Sequence, residues 1–233
     1  MGTIKATVFD LDDTLYLEQD YVASGFRAVA AHLSSRSSLR DTEIFAWLWN
    51  QFQTGVRGNS FDLLLQEFPK LSSIAPAQDL VDLYRTHAPR LELLEGMGNL
   101  LDKIVATRSE TAIITDGNTV SQAAKMQALG LHSRIRRTVQ TAEWGAQFCK
   151  PHPRAYETFA TLTGIPASQC VYIGDNPEKD FQGARRLGWK TVRLRLPGQL
   201  HYAMDATTGF GADFEVGSVA SLADFLLSSL NTN

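Results

Sequence analysis

Short apolar runs alternate with helical patterns along most of the chain. The first run, from Ile4 to Phe9, is rich in β-branched residues and is followed at once by acidic residues. This pattern is typical of a buried strand that ends at a functional loop. Further runs of the same kind occupy residues 112–114, 170–173, 190–194 and, as a shorter candidate, 213–216.

Helical patterns lie between these predicted strands. Val120, Ala123, Ala124 and Gln127 recur at helical spacing before Gly130, which predicts the end of that helix. Further helices are predicted over residues 154–162, 181–187 and 221–230; the first lies between a proline and a glycine, as helices commonly do. Strands that alternate with helices of this length predict an α/β fold with a Rossmann-like, mostly parallel sheet covered on both faces.

Residues 17–90 interrupt the alternation, because they show helical stripes and hardly any strand pattern. The four apolar stripes comprise Val22, Phe26, Val29 and Leu33; Ile44, Leu48 and Phe52; Phe61, Leu64, Leu65 and Phe68; and Leu80, Leu83, Tyr84 and His87. A βαβ unit needs only about 30 residues, and the first two predicted strands stand much further apart. We therefore expect a core formed by residues 1–16 and 91–233, and an inserted α-helical cap domain, residues 17–90, over the acidic loop.

Composition excludes several classes of partner. The 233 residues carry 22 basic and 25 acidic side chains, a formal net charge of −3, so no strong field favours nucleic acid or anionic lipid. No apolar run reaches the roughly 18 residues of a membrane span, and the N-terminus lacks the pattern of a signal peptide. We expect a cytoplasmic protein without a nucleic-acid or membrane partner, either a monomer or a homodimer.

Polar residues that could act in catalysis or ligand binding follow several of the predicted strands. Open parallel sheets bind ligands beyond the carboxyl ends of their strands. The segments expected at that edge are Asp10-Leu-Asp-Asp-Thr, Thr115-Asp-Gly-Asn, Cys149-Lys-Pro and Gly174-Asp-Asn-Pro-Glu-Lys-Asp. They deliver two carboxylate clusters, a hydroxyl and a lysine to one place.

In this order, the segments resemble the four motifs of the haloacid dehalogenase superfamily, in the branch whose helical cap follows the first motif. The matching residues are Asp10, Asp12 and Thr14 for DxDxT, Thr115 for the second motif, Lys150-Pro151 for the third, and Gly174, Asp175 and Asp180 for GDxxxxD. Dehalogenases of the superfamily lack the second aspartate of the first motif. The presence of Asp12 therefore favours phosphoryl chemistry.

The resemblance implies a Mg²⁺-dependent phosphatase in which Asp10 attacks phosphorus and forms an aspartyl-phosphate. Asp12 would protonate the leaving group and then deprotonate the attacking water. Carboxylates of Asp10 and Asp175 and the backbone carbonyl of Asp12 would bind Mg²⁺, and Asp180 would orient the metal's ligands. The groups expected to bind the phosphoryl oxygens are the Thr115 hydroxyl, the Lys150 ammonium and the backbone amides of Leu11 and Asp116.

Substrate selectivity is expected to come from the cap. Arg57 and Asn59 lie in a glycine-flanked loop, residues 55–60, that suits close approach to a ligand. Weaker candidates are Tyr16 and Tyr21 near the first cap hinge and Asn118 after the second strand. For Lys179 in the fourth motif, the sequence leaves open whether the side chain points toward the site or away from it.

The sequence thus predicts hydrolysis of a small phosphorylated metabolite, either a nucleoside monophosphate or a sugar phosphate. A phosphomutase of similar build is the main alternative, since it would form the same aspartyl-phosphate. A 2-haloacid dehalogenase and a non-catalytic phosphate-binding protein are weaker alternatives, because Asp12, Asp10 and Lys150 are all present.

Overall fold

The computed structural model describes residues 3–230 and contains one sheet of six parallel strands. The strands are β1 (Ala6–Phe9), β2 (Glu110–Thr115), β3 (Arg137–Gln140), β4 (Cys170–Gly174), β5 (Lys190–Leu194) and β6 (Phe214–Val216). Their order is β3-β2-β1-β4-β5-β6. The α/β class with a mostly parallel sheet is confirmed.

Nine α-helices connect or flank these strands in the described part of the chain. They are α1 (Glu18–Ser34), α2 (Asp41–Gln53), α3 (Ser60–Glu67), α4 (Ala77–Thr86), α5 (Met97–Ala106), α6 (Thr119–Ala128), α7 (Arg154–Thr163), α8 (Gln182–Arg186) and α9 (Val219–Leu230). None of the helices within residues 3–230 has the length and apolarity that a bilayer crossing requires.

The central strands are buried on both faces, which explains their continuous apolar runs. All four residues of β1 and all five of β4 are buried. On one face, Tyr156 of α7 packs edge-on against Tyr172 of β4, with ring centroids 5.2 Å apart, and against Trp189 at 5.5 Å. This cluster packs β4 against the helical layer on that face of the sheet.

The register of the sheet places the ends of β1, β2 and β4 side by side. Phe9, the last residue of β1, pairs with Ile113 of β2 and Ile173 of β4. The strand order runs outward in opposite directions from the β1–β4 pair. In open parallel sheets, ligands bind beyond the carboxyl ends of the strands at such a switch point.

The chain divides into two compact units, one of residues 1–19 and 92–233 and one of residues 20–91. The first unit contains the sheet. The second is helical, and its core holds the predicted stripes of α1 and α2, since Val22, Phe26, Val29, Leu33, Ile44, Leu48 and Phe52 are all buried. Strong helical periodicity therefore identified the buried faces of these two helices correctly.

Two local expectations were incomplete or wrong. Strand β3 was not predicted, because only Val139 of its four residues is buried and it forms an edge of the sheet. Helix α6 forms, but the residues that suggested it do not face the core: Val120 is 53% exposed, and the helix buries Ser121, Gln122, Lys125 and Met126 instead.

Candidate active site

A cavity of about 220 Å³ opens at the carboxyl ends of β1, β2 and β4. It lies wholly within the first unit. Its lining comprises Asp10, Asp12, Glu18, Thr115, Asp116, Gly117, Lys150, Asp175, Asn176, Lys179, Asp180 and His201. The structure thus brings together the acidic, hydroxyl and lysine side chains that the sequence placed at separate strand ends.

Three carboxylates form the acidic centre of this cavity. Asp10, Asp175 and Asp180 each offer an oxygen, and the three oxygens lie within 4.8 Å of one another. Burial raises the pKa of Asp10 and of Asp175 well above the usual range, and the negative charge of Asp180 raises both further. Among the described residues, nothing forms a hydrogen bond with the buried Oδ2 of Asp175. Clustered carboxylate oxygens, one of them unpartnered, fit a hard divalent cation.

The position of Asp180 depends on a glycine. A Cβ atom at residue 174 would lie 2.3 Å from Oδ2 of Asp180 and 2.8 Å from its Cβ, so no other residue fits without moving the aspartate. The Oδ2 atom also accepts hydrogen bonds from the backbone amides of Asp175 and Asn176, at 3.1 and 2.9 Å. The loop after β4 therefore closes around this carboxylate.

Lys150 is the cation that balances the acidic centre. It is 5% exposed, and its Nζ lies 2.8 Å from Oδ1 of Asp10 and 2.7 Å from Oδ1 of Asp180. It also donates to the hydroxyl of Tyr172 at 3.0 Å, and that hydroxyl donates to the carbonyl oxygen of Ile114 at 3.1 Å. Burial alone would lower the pKa of Lys150, but Asp10 and Asp180 raise it well above its ordinary value. The ammonium is therefore charged at neutral pH.

The turn after β1 is held by Asp13, which sequence reasoning did not single out. Its φ of 54° lies in the left-handed region, which Asp tolerates better than most residues. The carboxylate accepts hydrogen bonds from the backbone amides of Glu18 and Leu200, both at 2.7 Å. This side chain is 1% exposed, so it anchors the loop that carries Asp10 and Asp12.

The Asp12 carboxylate occupies a different environment from the acidic centre. Lys125 Nζ lies 2.7 Å from its Oδ1, Gln122 Nε2 donates to its Oδ2 at 2.8 Å, and the Tyr16 hydroxyl donates to Oδ1. Burial raises the pKa of Asp12, but the Lys125 ammonium and the hydrogen bonds from Lys125, Tyr16 and Gln122 outweigh it and lower the pKa below its ordinary value.

Thr115 and Asp116 close β2 beside these carboxylates. The Thr115 hydroxyl donates to the carbonyl oxygen of Asp116 at 3.2 Å and accepts a hydrogen bond from Gln122 at 2.6 Å. The Asp116 carboxylate accepts from the Thr141 hydroxyl at 2.5 Å and from the backbone amide of Lys150 at 3.2 Å. The side chain of Asp116 thus connects the loop after β2 to the segment that carries Lys150.

The remaining predicted residues occupy varied places. Leu11 is fully buried, and Asn118 is exposed at the start of α6, where its side chain accepts from the amides of Val120 and Ser121 instead of lining the cavity. Lys179, whose direction the sequence left open, lines the cavity.

Three predicted selectivity residues belong to the second unit. The Arg57 guanidinium lies 3.8 Å from the ring centroid of Phe52 and donates to that residue's carbonyl oxygen at 2.6 Å. Asn59 is exposed before α3, and the buried Tyr21 donates to the carbonyl oxygen of Tyr84 at 3.3 Å.

Several residues around the cavity were missed from the sequence. Gln122, Lys125 and Tyr172 contact the predicted groups directly, as described above. Tyr16, a weaker selectivity candidate, instead donates to Asp12. At the cavity wall, Nε2 of His201 lies 3.0 Å from the side-chain nitrogen Nδ2 of Asn176. A usable indication existed for Gln122 and Lys125, because they lie one helical turn apart on a helix that begins just beyond Thr115.

Comparison with known proteins places these residues in context. A sequence model described as haloacid dehalogenase-like hydrolase matches residues 7–194. A glyceraldehyde 3-phosphate phosphatase of Methanocaldococcus jannaschii is 26% identical over 229 residues, covering 96% of this chain and 97% of the relative. A ribulose-1,5-bisphosphate 5-phosphatase of Halopiger xanaduensis is also 26% identical, and the match covers 95% of this chain and 98% of the relative. A hydrolase of the same family from Deinococcus radiodurans, solved with bound phosphate and sodium, superposes with a TM-score of 0.65 at 24% identity. The superposition covers 98% of this chain and 97% of the Deinococcus chain.

Proposed function

The chain belongs to the haloacid dehalogenase-like hydrolase family, and from this premise we propose that it is a Mg²⁺-dependent phosphatase acting through an aspartyl-phosphate on Asp10. The observation that carries the proposal is the contact of the buried Asp10 carboxylate with the Lys150 ammonium, 2.8 Å away, in a cavity that Asp12 and three further aspartates also line. A carboxylate nucleophile, a cation and a second carboxylate suit cleavage of a phosphate ester through a covalent intermediate.

Asp10 is proposed as the nucleophile. A phosphate monoester is anionic, so an attacking carboxylate needs nearby positive charge to approach it. Lys150 supplies that charge while it also contacts Asp180. Because phosphoryl transfer spreads negative charge over the non-bridging oxygens, a fixed ammonium at this place also stabilises the transition state.

The acidic centre is proposed to hold Mg²⁺ through carboxylates of Asp10 and Asp175 and the backbone carbonyl of Asp12, with Asp180 orienting the ligands. When bound, Mg²⁺ would neutralise charge on the phosphoryl oxygens and offset the repulsion among the carboxylates. The unpartnered Oδ2 of Asp175 and the raised pKa of Asp10 and Asp175 support this assignment.

Asp12 is proposed as the general acid and base. It would give a proton to the oxygen of the leaving alcohol, and would later take a proton from the water that attacks the aspartyl-phosphate. Positioned acid–base catalysis of this kind contributes roughly 10²–10⁴-fold. The Thr115 hydroxyl and the backbone amides of Leu11 and Asp116 are proposed to donate hydrogen bonds to the phosphoryl oxygens.

The substrate is proposed to be a small phosphorylated metabolite, with sugar phosphates favoured over nucleoside monophosphates. The support is that two relatives spanning nearly the whole chain are named for a triose phosphate and a pentulose bisphosphate. The helical segment, residues 17–90, is proposed as the cap that selects among such compounds. Arg57, Asn59 and Tyr21 in this segment, and Asn118 in the core, remain the candidates for that role.

The test is phosphate release from a panel of sugar phosphates and nucleoside monophosphates, with and without Mg²⁺, by the wild type and Asp10→Asn. We expect the wild type to release phosphate and the variant to lose turnover, since the amide is not a nucleophile. An unchanged far-ultraviolet circular dichroism spectrum would show that the variant is folded. Substantial turnover by folded Asp10→Asn would remove Asp10 as nucleophile, and isomerisation of a sugar phosphate without net phosphate release would favour the phosphomutase.

A further inference from the structure

Helix α6 buries the polar side chains of Gln122 and Lys125 beside Met126. Gln122 is 1% exposed and Lys125 is 5% exposed, whereas Val120 on the same helix is 53% exposed. Burial of a lysine and an amide costs free energy unless both are well paired. An amphipathic helix that only needed to cover the sheet would place these residues the other way round, so the two polar residues must have a purpose at the site.

Both side chains reach the same carboxylate. Lys125 Nζ lies 2.7 Å from Oδ1 of Asp12, and Gln122 Nε2 lies 2.8 Å from Oδ2, while the Tyr16 hydroxyl also donates to Oδ1. With donors on both oxygens, the carboxylate cannot rotate without breaking a hydrogen bond. The Asp12 side chain nevertheless keeps 22% of its surface exposed toward solvent, and the residue lines the cavity.

Gln122 extends the same arrangement to the phosphoryl-binding side. Its Nε2 also lies 2.6 Å from the Thr115 hydroxyl oxygen and 2.6 Å from the carbonyl oxygen of Asp116. Every one of these neighbours accepts, and the opposite Oε1 atom is buried without a hydrogen-bond partner among the described residues. In this orientation the amide hydrogens face the three acceptors, and the Thr115 hydroxyl uses its own hydrogen to donate to the carbonyl oxygen of Asp116.

We propose that Lys125 and Gln122 are positioning residues that hold the Asp12 carboxylate in place for its step as base, an inference that rests on the proposed function. In that step the water gives its proton to an Asp12 oxygen as its own oxygen bonds to phosphorus. The bond between phosphorus and the Asp10 oxygen breaks, and Asp10 leaves as a carboxylate. A displacement of about 1 Å in such a group can cost on the order of 10²-fold in rate.

The first half-reaction can be made insensitive to Asp12 by the choice of substrate. With p-nitrophenyl phosphate, the departing nitrophenolate needs little protonation, so formation of the aspartyl-phosphate depends weakly on the acid. Hydrolysis of the aspartyl-phosphate still requires the base. A variant with a misplaced Asp12 should therefore accumulate the phosphorylated enzyme.

The experiment is stopped-flow release of nitrophenolate by the wild type, Lys125→Met, Gln122→Leu and Lys125→Arg, with Mg²⁺ present. For Lys125→Met we expect a burst of about one nitrophenolate per site, a steady-state kcat lower by roughly 10²-fold, and a KM that falls with kcat. Acid-quenched protein should carry stoichiometric phosphate, and Lys125→Arg, which keeps the charge, should recover part of the kcat. Gln122→Leu should show the same pattern more weakly.

Matched controls come from exposed positions on helices α5 and α6. Lys103→Met in α5 and Gln127→Leu in α6 make the same chemical changes where the side chains are exposed, and neither should give a burst. Circular dichroism establishes folding, and Gln122→Leu carries the test where Lys125→Met does not fold.

Turnover at the wild-type rate in the folded variants, or a loss of turnover without a burst and without trapped phosphate, would overturn the positioning role. Failure of the wild type to release phosphate from any ester would instead overturn the proposed function. The two failures are therefore distinguishable.

Discussion

Removal of the Lys150 ammonium should destabilise the protein in a pH-dependent way. The perturbation is Lys150→Met, which keeps most of the volume of the side chain and removes its charge. In the wild type, this ammonium lies 2.8 Å from Asp10 and 2.7 Å from Asp180, and all three side chains are at least nine-tenths buried. The variant leaves both carboxylates in the interior without their shared cation.

The magnitude follows from the burial of the group. Breaking a buried ion pair by removing one partner costs about 3–5 kcal/mol, because an uncompensated charge remains. For a chain of this size, 1 kcal/mol corresponds to about 2–4 °C in the midpoint of thermal unfolding. We therefore expect a midpoint lower by about 6–20 °C near neutral pH.

The sign of the pH dependence follows from Asp10. Burial already raises the pKa of folded Asp10 above the unfolded value, while Lys150 lowers it in part. Without Lys150 the folded pKa rises further. A carboxyl with a raised folded pKa favours the folded state at acidic pH, where it is neutral, and this contribution is lost as the pH rises through the folded pKa. The loss in free energy of unfolding caused by Lys150→Met should therefore be small at mildly acidic pH and large at pH 8.

The assay is urea unfolding of the wild type and Lys150→Met between pH 5.5 and pH 8, in a chelating buffer so that no divalent cation replaces the ammonium. Lys103→Met, at an exposed position of α5, is the control and should match the wild type throughout. Two results would refute the argument from an uncompensated buried charge. One is a loss in free energy of unfolding that is equal at both ends of the pH range, and the other is a variant as stable as the wild type at pH 8.

Two further predictions concern the acidic centre. Chelation by EDTA should abolish phosphate release and added Mg²⁺ should restore it, because the carboxylates of Asp10 and Asp175 otherwise repel the substrate. Phosphate release that is unaffected by EDTA would contradict the metal assignment. Gly174→Ala should lower kcat by roughly 10²-fold or more, because its Cβ would lie 2.3 Å from Oδ2 of Asp180 and displace that carboxylate. Gly217→Ala, at a site with nothing within 4 Å of the added carbon, should retain full activity, and equal rates for the two variants would show that Asp180 tolerates the shift.

The fold class was predictable because its determinants are local. Buried parallel strands favour largely apolar, β-branched segments such as Ile4 to Phe9, and the helices α1 and α2 bury one side each, so periodicity identifies them. Acidic and hydroxyl residues directly after such strands must meet at one edge of the sheet. For this reason Asp10, Thr115 and Asp175 could be grouped before any coordinates.

Contacts between distant segments were beyond the reach of those patterns. The order of the motifs placed Lys150 near Asp10, but the pairing of one ammonium with both Asp10 and Asp180 requires the sheet register that brings three loops together. The space that excludes a side chain at Gly174 likewise exists only once Asp180 has folded back over it. Edge strand β3 has a single buried residue and therefore no apolar run to reveal it.

Helix α6 shows the division most clearly. Its sequence determined that a helix forms and ends near Gly130, because helical spacing and a glycine stop are local properties. Which side faces inward was decided by pairing energies: the tertiary structure offers Asp12 as a partner, and this lets Gln122 and Lys125 be buried while Val120 stays exposed. Sequence thus determined the elements and the residues at the strand ends, whereas tertiary packing decided which charges are paired, because pairing depends on distances between segments far apart in the chain.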